Sequence, residues 1–344
     1  MKDSEKNIAN ILIVNDDKSY LEEFVNYLKK KHPRMEITEV ITASFAKGKF
    51  YTKKKMLMQL VWCFCRLGLD PTVLSGRRFD SVLLKGVMPT LSYLVLTKLF
   101  PFIKPKKNIV ITFFFLHSLS GKWLIKRLLK FVLNDRKVVL TLYSRSDKRY
   151  FAETVGIKKA KVMVIPYCQA EAETNDECGK GEDYIFTGGY SNRDYNCLLK
   201  AAKKVRFKFI IACSNLNKVV PISDNVQVIR NLDLKSFNGY MKNSAILVIP
   251  LQHDVGSAGL SVTLFGMSLK KAIIYSDMDC LADYFTEGVS GIAYKKGDAD
   301  NLASKIEHLL ADRKKRTELG NSAFERYRKL YHRLNYYNLL GGCC

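Results

Sequence analysis

The sequence predicts an α/β protein built from two doubly wound, Rossmann-like domains that face each other across a cleft, with a C-terminal helix. Three observations lead to this prediction. The chain has 344 residues, more than a single core of typical size needs. Short apolar runs alternate with amphipathic segments of helical period, which is the pattern of a parallel sheet covered on both faces. A polar, acidic stretch without periodicity, Tyr167–Glu182, divides this pattern into two series.

The first series predicts six strands and five helices. The expected strands are Ile8–Asn15, Met35–Ile41, Phe79–Lys85, Asn108–Phe115, Lys137–Tyr143 and Lys161–Ile165. The expected helices are Tyr20–Lys31, Lys54–Gly68, Pro89–Phe100, Gly121–Leu133 and Asp147–Val155.

The second series repeats the architecture and ends in a long helical segment. Its expected strands are Tyr184–Thr187, Phe207–Cys213, Val226–Ile229, Ala245–Pro250, Ala272–Tyr275 and Gly291–Tyr294. Its expected helices are Ser191–Lys204, Leu234–Lys242, Gly259–Leu269 and Ala299 to about Leu339. These elements predict a first domain over 1–168, a second over 182–320, and a C-terminal helix over 321–344 that returns to the first domain.

Composition and charge narrow the class of protein. A hydrophobic content of 47% with 26% charged residues is typical of a globular protein. The net charge is +23, and residues 1–165 hold 32 Lys and Arg against 13 Asp and Glu, which predicts an anionic partner for the first half. Nine cysteines at irregular spacing favour reduced thiols in the cytoplasm over a zinc site. A polar start and the lack of a run of ~20 apolar residues argue against a signal peptide or spanning helix.

The segment Leu251–Asp277 carries the most specific signal. It reads as the end of a strand, a turn of small residues, a helix and a new strand. A helix that begins with small residues presents free backbone N–H groups and the positive end of its dipole. Such a start is a phosphate site, although small residues also serve packing alone in many α/β proteins.

Several segments together resemble one family. Ile185–Lys204 is similar to the strand, Gly-Gly turn and helix that open the donor domain of GT-B glycosyltransferases, and Ile246–Asp277 resembles that family's donor-phosphate region. Leu281–Lys296, Asp298–Leu310 and Thr141–Gln169 resemble further segments of the same proteins. The chain is therefore identified as a divergent member of the family 4-like, retaining glycosyltransferases (glycosyl transferases group 1).

The resemblance implies a hexosyltransferase-type enzyme that moves a sugar from a nucleotide diphosphate-sugar to a lipid-linked or saccharide acceptor in polysaccharide or glycolipid biosynthesis. Ligands of such sheets lie at the carboxyl ends of the strands. The expected diphosphate-binding residues are Gly188, Gly189, Arg193, Ser257, Ala258, Gly259, Leu260 and Ser261. The residues expected near the sugar or nucleotide are His253, Asp254 and Thr263.

The chain departs from the family at two positions. The family carries two glutamates around this helix, one for the sugar and one for the ribose hydroxyls, and the aligned positions here hold Ser257 and Phe265. Neither residue accepts two hydroxyl hydrogen bonds as a carboxylate does. The sugar and ribose are therefore held differently, or the donor site is altered.

Catalysis in this family needs neither a metal nor another cofactor, and the departing phosphate assists attack on the same face of the sugar. The candidate catalytic residues are His117, just past the strand Asn108–Phe115, and Arg193. Asp16 and Asp17 are the nearest approach to a metal-binding acidic pair, but they are better explained as the cap of the helix from Tyr20.

The first half is expected to hold the acceptor and to face a membrane. Between Lys47 and Arg136 there are 18 Lys and Arg against three acids, interleaved with apolar residues at helical spacing. Such helices lie in a membrane interface with basic groups on anionic lipid, although a solvated basic face on a core helix gives the same pattern. We expect a peripheral protein on the inner face of the membrane. The expected membrane or acceptor residues are Lys53, Lys54, Lys55, Trp62, Lys122, Lys126, Arg127 and Lys130.

Two alternatives remain open at this point. The basic half suits nucleic-acid binding, but no recognition motif accompanies it and the second half suits a small diphosphate. The missing glutamates leave room for a GT-B sugar-nucleotide epimerase, or for a relative that binds a partner without using a donor.

Overall fold

Two six-stranded parallel sheets form the framework of the residues that the computed structural model describes, namely 10–15, 22–42, 53–112, 123–179, 183–254 and 256–343. Side chains at 53–57, 124 and 125 are not described. Each sheet lies in its own compact unit. The first unit comprises Met1–Leu142, Asp147–Ile165 and Tyr337–Cys344, and the second comprises Tyr143–Ser146 and Pro166–Tyr336.

The first sheet has the strand order β2-β1-β3-β4-β5-β6, with every pair parallel. Its strands are β1 Asn10–Asn15, β2 Glu36–Ile41, β3 Ser81–Lys85, β4 Asn108–Thr112, β5 Val138–Leu142 and β6 Lys161–Val164. Residues 11–14 of β1 are all buried, so both faces of the sheet are covered.

Helices connect these strands. They are α1 Glu22–Lys31, α2 Lys53–Gly68, α3 Pro71–Leu74, α4 Val87–Leu99, α5 Trp123–Leu133 and α6 Arg145–Arg149. Helix α6 continues as wider, π-type turns over Tyr150–Val155 and stops at Gly156, whose φ of 77° ends the helix. Helices α2, α4 and α5 share one apolar core with the sheet, to which Leu67, Leu94 and Leu129 belong.

The second sheet has the order β12-β11-β10-β7-β8-β9, again all parallel. Its strands are β7 Ile185–Gly188, β8 Phe209–Cys213, β9 Val226–Arg230, β10 Ile246–Ile249, β11 Ile273–Ser276 and β12 Ile292–Tyr294. The remaining helices are α7 Tyr195–Ala202, α8 Leu234–Asn243, α9 Leu260–Ser268, α10 Asp279–Ala282, α11 Ala299–Ala311, α12 Arg313–Arg326 and α13 Arg333–Gly341.

The two doubly wound sheets and the C-terminal helix confirm the predicted fold class. The long terminal helix predicted from Ala299 is instead three helices. Asp312 interrupts it, because its carboxylate accepts a hydrogen bond from the Lys315 backbone N–H (2.8 Å) and so caps a new helix. The last part of the chain belongs to the first unit, where the Tyr337 ring lies 5.5 Å from that of Phe24.

Candidate active site

The order of strands in the second sheet locates one crevice. From β7 the chain moves outward through β8 and β9, and it then returns to the other side of β7 to form β10, β11 and β12. The sheet therefore has its topological switch point between the neighbouring strands β7 and β10. Ligands of doubly wound sheets bind at this point, outside the carboxyl ends of the strands. The loops after β7 and β10 are the two segments for which the sequence predicted phosphate binding.

Two glycines, the last residue of β7 and the first of the loop after it, lie under other side chains. A Cβ atom on Gly188 would lie 2.3 Å from the ring of Phe237, and one on Gly189 would lie 2.5 Å from the guanidinium of Arg193. Gly189 also has a φ of 123°, a conformation that side chains with a Cβ disfavour. The structure thus explains both glycines by the close packing of Phe237 and Arg193 on the main chain.

Arg193 holds a positive charge at the end of β7. Its Nε donates to the Gly188 carbonyl oxygen (2.9 Å) and its Nη1 donates to the Ser191 carbonyl oxygen (2.8 Å). No carboxylate among the described residues forms an ion pair with it. Burial lowers the pKa of the guanidinium, but an arginine starts so high that it stays protonated. A fixed cation without an acidic partner in the described structure is suited to bind an anion.

A clamp that the sequence analysis did not identify joins the two loops. Asn192 has a positive φ of 54°, and its side-chain amide faces the backbone of His253. Asn192 Nδ2 donates to the His253 carbonyl oxygen (2.7 Å), and Asn192 Oδ1 accepts from the His253 N–H (2.9 Å). Next to it, the Asp194 N–H donates to the Pro250 carbonyl oxygen (2.9 Å). These bonds fix the loop that carries Arg193 against the loop that follows β10.

Helix α9 begins at the switch point as the sequence predicted. Gly259 precedes its first residue in the left-handed conformation, with a φ of 87°. Leu260 and Ala258 are buried, whereas Ser261 is exposed and Ser257 is partly exposed. The first N–H groups of a helix have no partner within the helix, so the backbone of this turn offers donors at the positive end of the dipole.

Thr263, which the sequence analysis placed near the sugar or nucleotide, turns its side chain into the protein interior. Its side chain is fully buried, and its hydroxyl donates to the Gly259 carbonyl oxygen (3.0 Å), which also accepts from the Thr263 N–H (2.8 Å). Thr263 therefore stabilises the turn from inside. The spacing of the residues placed it near the site but did not show which way it points.

His253 and Asp254 have different surroundings. His253 is exposed, and its main chain is the part that Asn192 holds. The carboxylate of Asp254 accepts hydrogen bonds from the backbone N–H groups of Cys280 (2.9 Å) and Asp279 (3.2 Å). Asp254 thus caps the start of α10, and this role accounts for both of its oxygens.

The position at which the family carries its ribose-binding glutamate is apolar here. Phe265 is buried in the core cluster that also contains Leu264 and Met267. Ser257, at the other glutamate position, belongs to the turn before α9, where its carbonyl oxygen accepts from the Leu260 N–H (3.2 Å). The second unit thus has a packed aromatic ring at the position where the family carries a carboxylate.

The remaining predicted residues belong to the first unit. His117 and Lys122 lie outside the described residues, as do the side chains of Lys53, Lys54 and Lys55. Trp62 is exposed on α2, Lys126 is half-buried on α5, and Arg127 and Lys130 are exposed on α5.

In the described part of the chain, no group of three or more His, Cys, Asp or Glu residues is placed to hold a metal ion. None of the helices there is long and apolar enough to cross a membrane.

Comparison with known proteins agrees with this architecture. Residues 193–326 match the family Glycosyl transferases group 1. No curated protein sequence matches the chain.

Solved structures of similar fold cover nearly the whole chain. Sucrose-phosphate synthase from Thermosynechococcus elongatus has a TM-score of 0.74 at 12% identity, over 97% of this chain and 98% of that one. A UDP-forming trehalose-phosphate synthase from Burkholderia xenovorans has a TM-score of 0.70 at 9% identity, again over 97% of this chain and 98% of that one. The Anabaena protein HepE in complex with UDP has a TM-score of 0.67 at 10% identity, also over 97% and 98%.

The match over 193–326 contains Arg193, the β10 loop and the whole of α9. Both the strand order and the structural likeness are those of the GT-B fold. The chain has the GT-B fold, and residues 193–326 in its second unit match Glycosyl transferases group 1.

Proposed function

We propose that this enzyme binds the diphosphate of a nucleotide diphosphate-sugar at the β7–β10 switch point and transfers the sugar to an acceptor. One observation carries the proposal. The cation of Arg193 and the N-terminal turn of α9 occupy the two loops that flank the switch point, and Asn192 ties these loops together. A guanidinium and free helix amides are complementary to a diphosphate.

The same groups account for the chemistry. As the bond between the anomeric carbon and the phosphate oxygen breaks, negative charge develops on the departing diphosphate. Arg193 and the amides of the turn stabilise this charge, because they are held in place before the reaction begins. The acceptor hydroxyl attacks the anomeric carbon from the same face, and its proton passes to the departing phosphate. The configuration of the sugar is retained, without a protein nucleophile and without a metal.

The ribose and sugar must be held without the usual carboxylates. Ser257 and Ser261 keep side chains with solvent access on the turn, and the Ser261 hydroxyl also donates to the Tyr167 hydroxyl (3.3 Å), whereas Thr263 is engaged inside the turn. We assign to these two serines and to the backbone of the turn the hydrogen bonds that the family's glutamates would form. A neutral hydroxyl accepts weaker hydrogen bonds from the ribose and sugar hydroxyls than an ionised carboxylate does, so donor affinity rests mainly on the diphosphate.

The acceptor in this proposal is lipid-linked or a saccharide, in polysaccharide or glycolipid biosynthesis on the inner face of a membrane. Residues 1–165 hold 32 basic and 13 acidic residues, and this positive balance supports an anionic partner for the first unit. Related folds have been solved with UDP and with UDP-glucose, which makes uridine donors the first to test.

Isothermal titration with UDP, GDP and their sugar conjugates tests the donor site. Arg193→Gln removes the cation, and a charged hydrogen bond is worth about 1.5–3 kcal/mol, so we expect roughly 10- to 150-fold weaker diphosphate binding. Arg206→Gln is the matched control, because Arg206 is exposed and precedes the amino end of β8, whereas the site lies at the carboxyl ends of the strands. Equal affinity in both variants, or a wild-type protein that binds none of these nucleotides, would refute the donor site.

Phe265 favours one second candidate, a relative that binds the donor without transferring the sugar. Its buried ring removes the carboxylate that orients the ribose in the family. Wild-type protein that binds a nucleotide-sugar but releases no nucleoside diphosphate with any lipid or saccharide acceptor would support this candidate over the transferase.

A further inference from the structure

Helix α2 exposes an apolar stripe to solvent. Its inward face, with Leu60, Phe64 and Leu67, packs into the core of the first unit. The outward stripe on the helix consists of Met58, Val61, Trp62 and Cys65 at i, i+3, i+4 and i+7, and the exposed Leu69, just past the end of the helix, continues it. Met58 is 63% exposed and Val61 is 55% exposed. Large apolar side chains gathered on one exposed stripe mark an interaction surface.

Helix α5 exposes a second stripe of mixed apolar and basic character. Leu129, Val132 and Leu133 are buried, so the opposite face carries Trp123, Arg127 and Phe131 at i, i+4 and i+8. Trp123 is 66% exposed and Phe131 is 61% exposed. The Arg127 guanidinium lies 5.4 Å from the centre of the Trp123 ring, and Lys98 Nζ lies 5.7 Å from that of Phe131. Each exposed ring therefore has a cation beside it.

The two stripes lie on the same side of the first sheet. Helices α2 and α5 each pack against α4, and all three contribute to one core cluster on one face of that sheet. Arg127 and Lys130 are exposed on α5, and Leu128 adds a further exposed apolar side chain. The outer surface of this helical layer thus combines large apolar groups with basic groups.

We propose that this surface, defined by the α2 stripe and by Trp123, Arg127, Leu128, Lys130 and Phe131, is an interface that inserts into an anionic phospholipid bilayer. The inference rests on the proposed function, because it names the structure through which the transferase reaches a lipid-linked acceptor. Apolar side chains enter the boundary between headgroups and acyl chains, while Arg127 and Lys130 remain at the level of the lipid phosphates.

Charge favours a lipid surface over a second copy of the chain. Between residues 47 and 136 there are 18 basic residues and three acids. All three acids are already paired, Asp70 with Arg66 (3.1 Å), Asp80 with Lys107 (3.9 Å) and Asp135 with Lys104 (2.7 Å). Two copies joined through this face would bring like charges together, whereas an anionic membrane neutralises them.

The two tryptophans of the chain allow a direct test, because one lies on each stripe. Trp62→Phe leaves Trp123 as the only indole, and Trp123→Phe leaves Trp62. We expect the emission of each single-tryptophan protein to shift to shorter wavelength on vesicles of phosphatidylcholine with phosphatidylglycerol, and to be quenched by brominated acyl chains. Emission that is unchanged in both proteins on these vesicles would overturn the proposal.

Paired variants test the surface itself by vesicle flotation. Trp123→Ser with Phe131→Ser removes two exposed rings and should weaken binding at least about tenfold. Arg127→Gln with Lys130→Gln should lower the dependence of binding on phosphatidylglycerol and on salt. The matched control is Leu216→Ser with Val220→Ser, which removes two equally exposed apolar residues from the second unit and should bind as wild type.

Three outcomes separate this proposal from its alternatives. Equal flotation of the Trp123/Phe131 variant and the control, with native circular dichroism in both, would overturn the interface. Concentration-dependent dimers that the same variant abolishes, without flotation of the wild type, would show a contact between copies instead. Flotation is measured without donor, so the two proposals can fail separately. A wild-type protein that binds UDP but does not float contradicts the interface alone. A wild-type protein that floats but does not bind UDP contradicts the donor site alone.

Discussion

The turn before α9 gives the sharpest single prediction, because Gly259 is required there for two physical reasons. Its φ of 87° lies in the left-handed region, where a Cβ atom meets the following carbonyl group. A Cβ at this position would also lie 3.3 Å from Ile249 Cγ2 and from Leu251 Cδ2. Gly259→Ala therefore strains the backbone and presses on the end of β10 at the same time.

The structure separates these two costs. The left-handed conformation costs an alanine about 1–2 kcal/mol, and this applies equally to Gly288, whose φ is 72°. A Cβ on Gly288 meets nothing within 4 Å, so Gly288→Ala measures the backbone cost alone. We expect Gly259→Ala to lower the free energy of unfolding of the second unit by about 1 kcal/mol more than Gly288→Ala, since tight contacts in a packed core add strain of roughly this size.

Calorimetric unfolding and titration with UDP measure the two effects on the same samples. Only Gly259→Ala should weaken diphosphate binding, because it displaces the amides at the start of α9. Equal stability of the two variants would show that the contacts with Ile249 and Leu251 relax without cost. Equal nucleotide affinity would show that the turn serves packing and not the donor.

Three further predictions concern other parts of the chain. Burial acts to raise the pKa of Asp135, but hydrogen bonds from Lys104, the Lys137 N–H and Lys98 outweigh it and lower the pKa to about 2. Asp135→Asn should therefore cost about 1–2 kcal/mol at neutral pH. Urea unfolding followed by tryptophan fluorescence should show this difference shrink as the pH falls below about 4 and disappear only below about 2, where the wild-type carboxyl is protonated in the folded state too. Asn192→Ala removes two hydrogen bonds of about 0.5–1.5 kcal/mol each, so it should loosen the loop carrying Arg193 and weaken UDP binding by at most roughly 5- to 150-fold. An unchanged affinity would mean that the loops are held without the clamp. Chelation with EDTA should leave sugar transfer unchanged if Arg193 and the α9 turn stabilise the leaving group, and a rate restored by added Mg²⁺ would contradict that mechanism.

The strands were predictable because burial on both faces of a parallel sheet requires short continuous apolar runs. Ile246–Ile249 and Ile273–Ser276 are such runs, and their predicted positions differ from the observed ones by about a residue at each end. Helix ends were less predictable where a side chain decides them. Asp194 and Asp312 each start a helix by accepting a backbone N–H, so α7 begins four residues after its predicted start and the terminal helix breaks.

The candidate site was only partly predictable from local pattern. Small residues before α9 identified the turn, since few other residues permit that backbone, and Arg193 stood out as the basic residue after the glycines. The pattern did not reveal that Asn192 clamps the loop, because an amide in a turn has the same sequence signal whether it faces solvent or a neighbouring backbone. It also placed Thr263 near a ligand, whereas the hydroxyl bonds to the Gly259 carbonyl oxygen.

By itself, the sequence determined the alternation of strands and helices, the uneven charge of the two halves and the small-residue turn before α9. These features depend on residues that are neighbours along the chain, so they can be recognised by period and composition. The tertiary structure alone decided that β7 and β10 lie side by side, that Phe265 belongs to the core, and that the rings of Trp62 and Trp123 face outward. Those outcomes depend on contacts between distant segments, which the order of residues does not reveal until the sheet has brought the segments together.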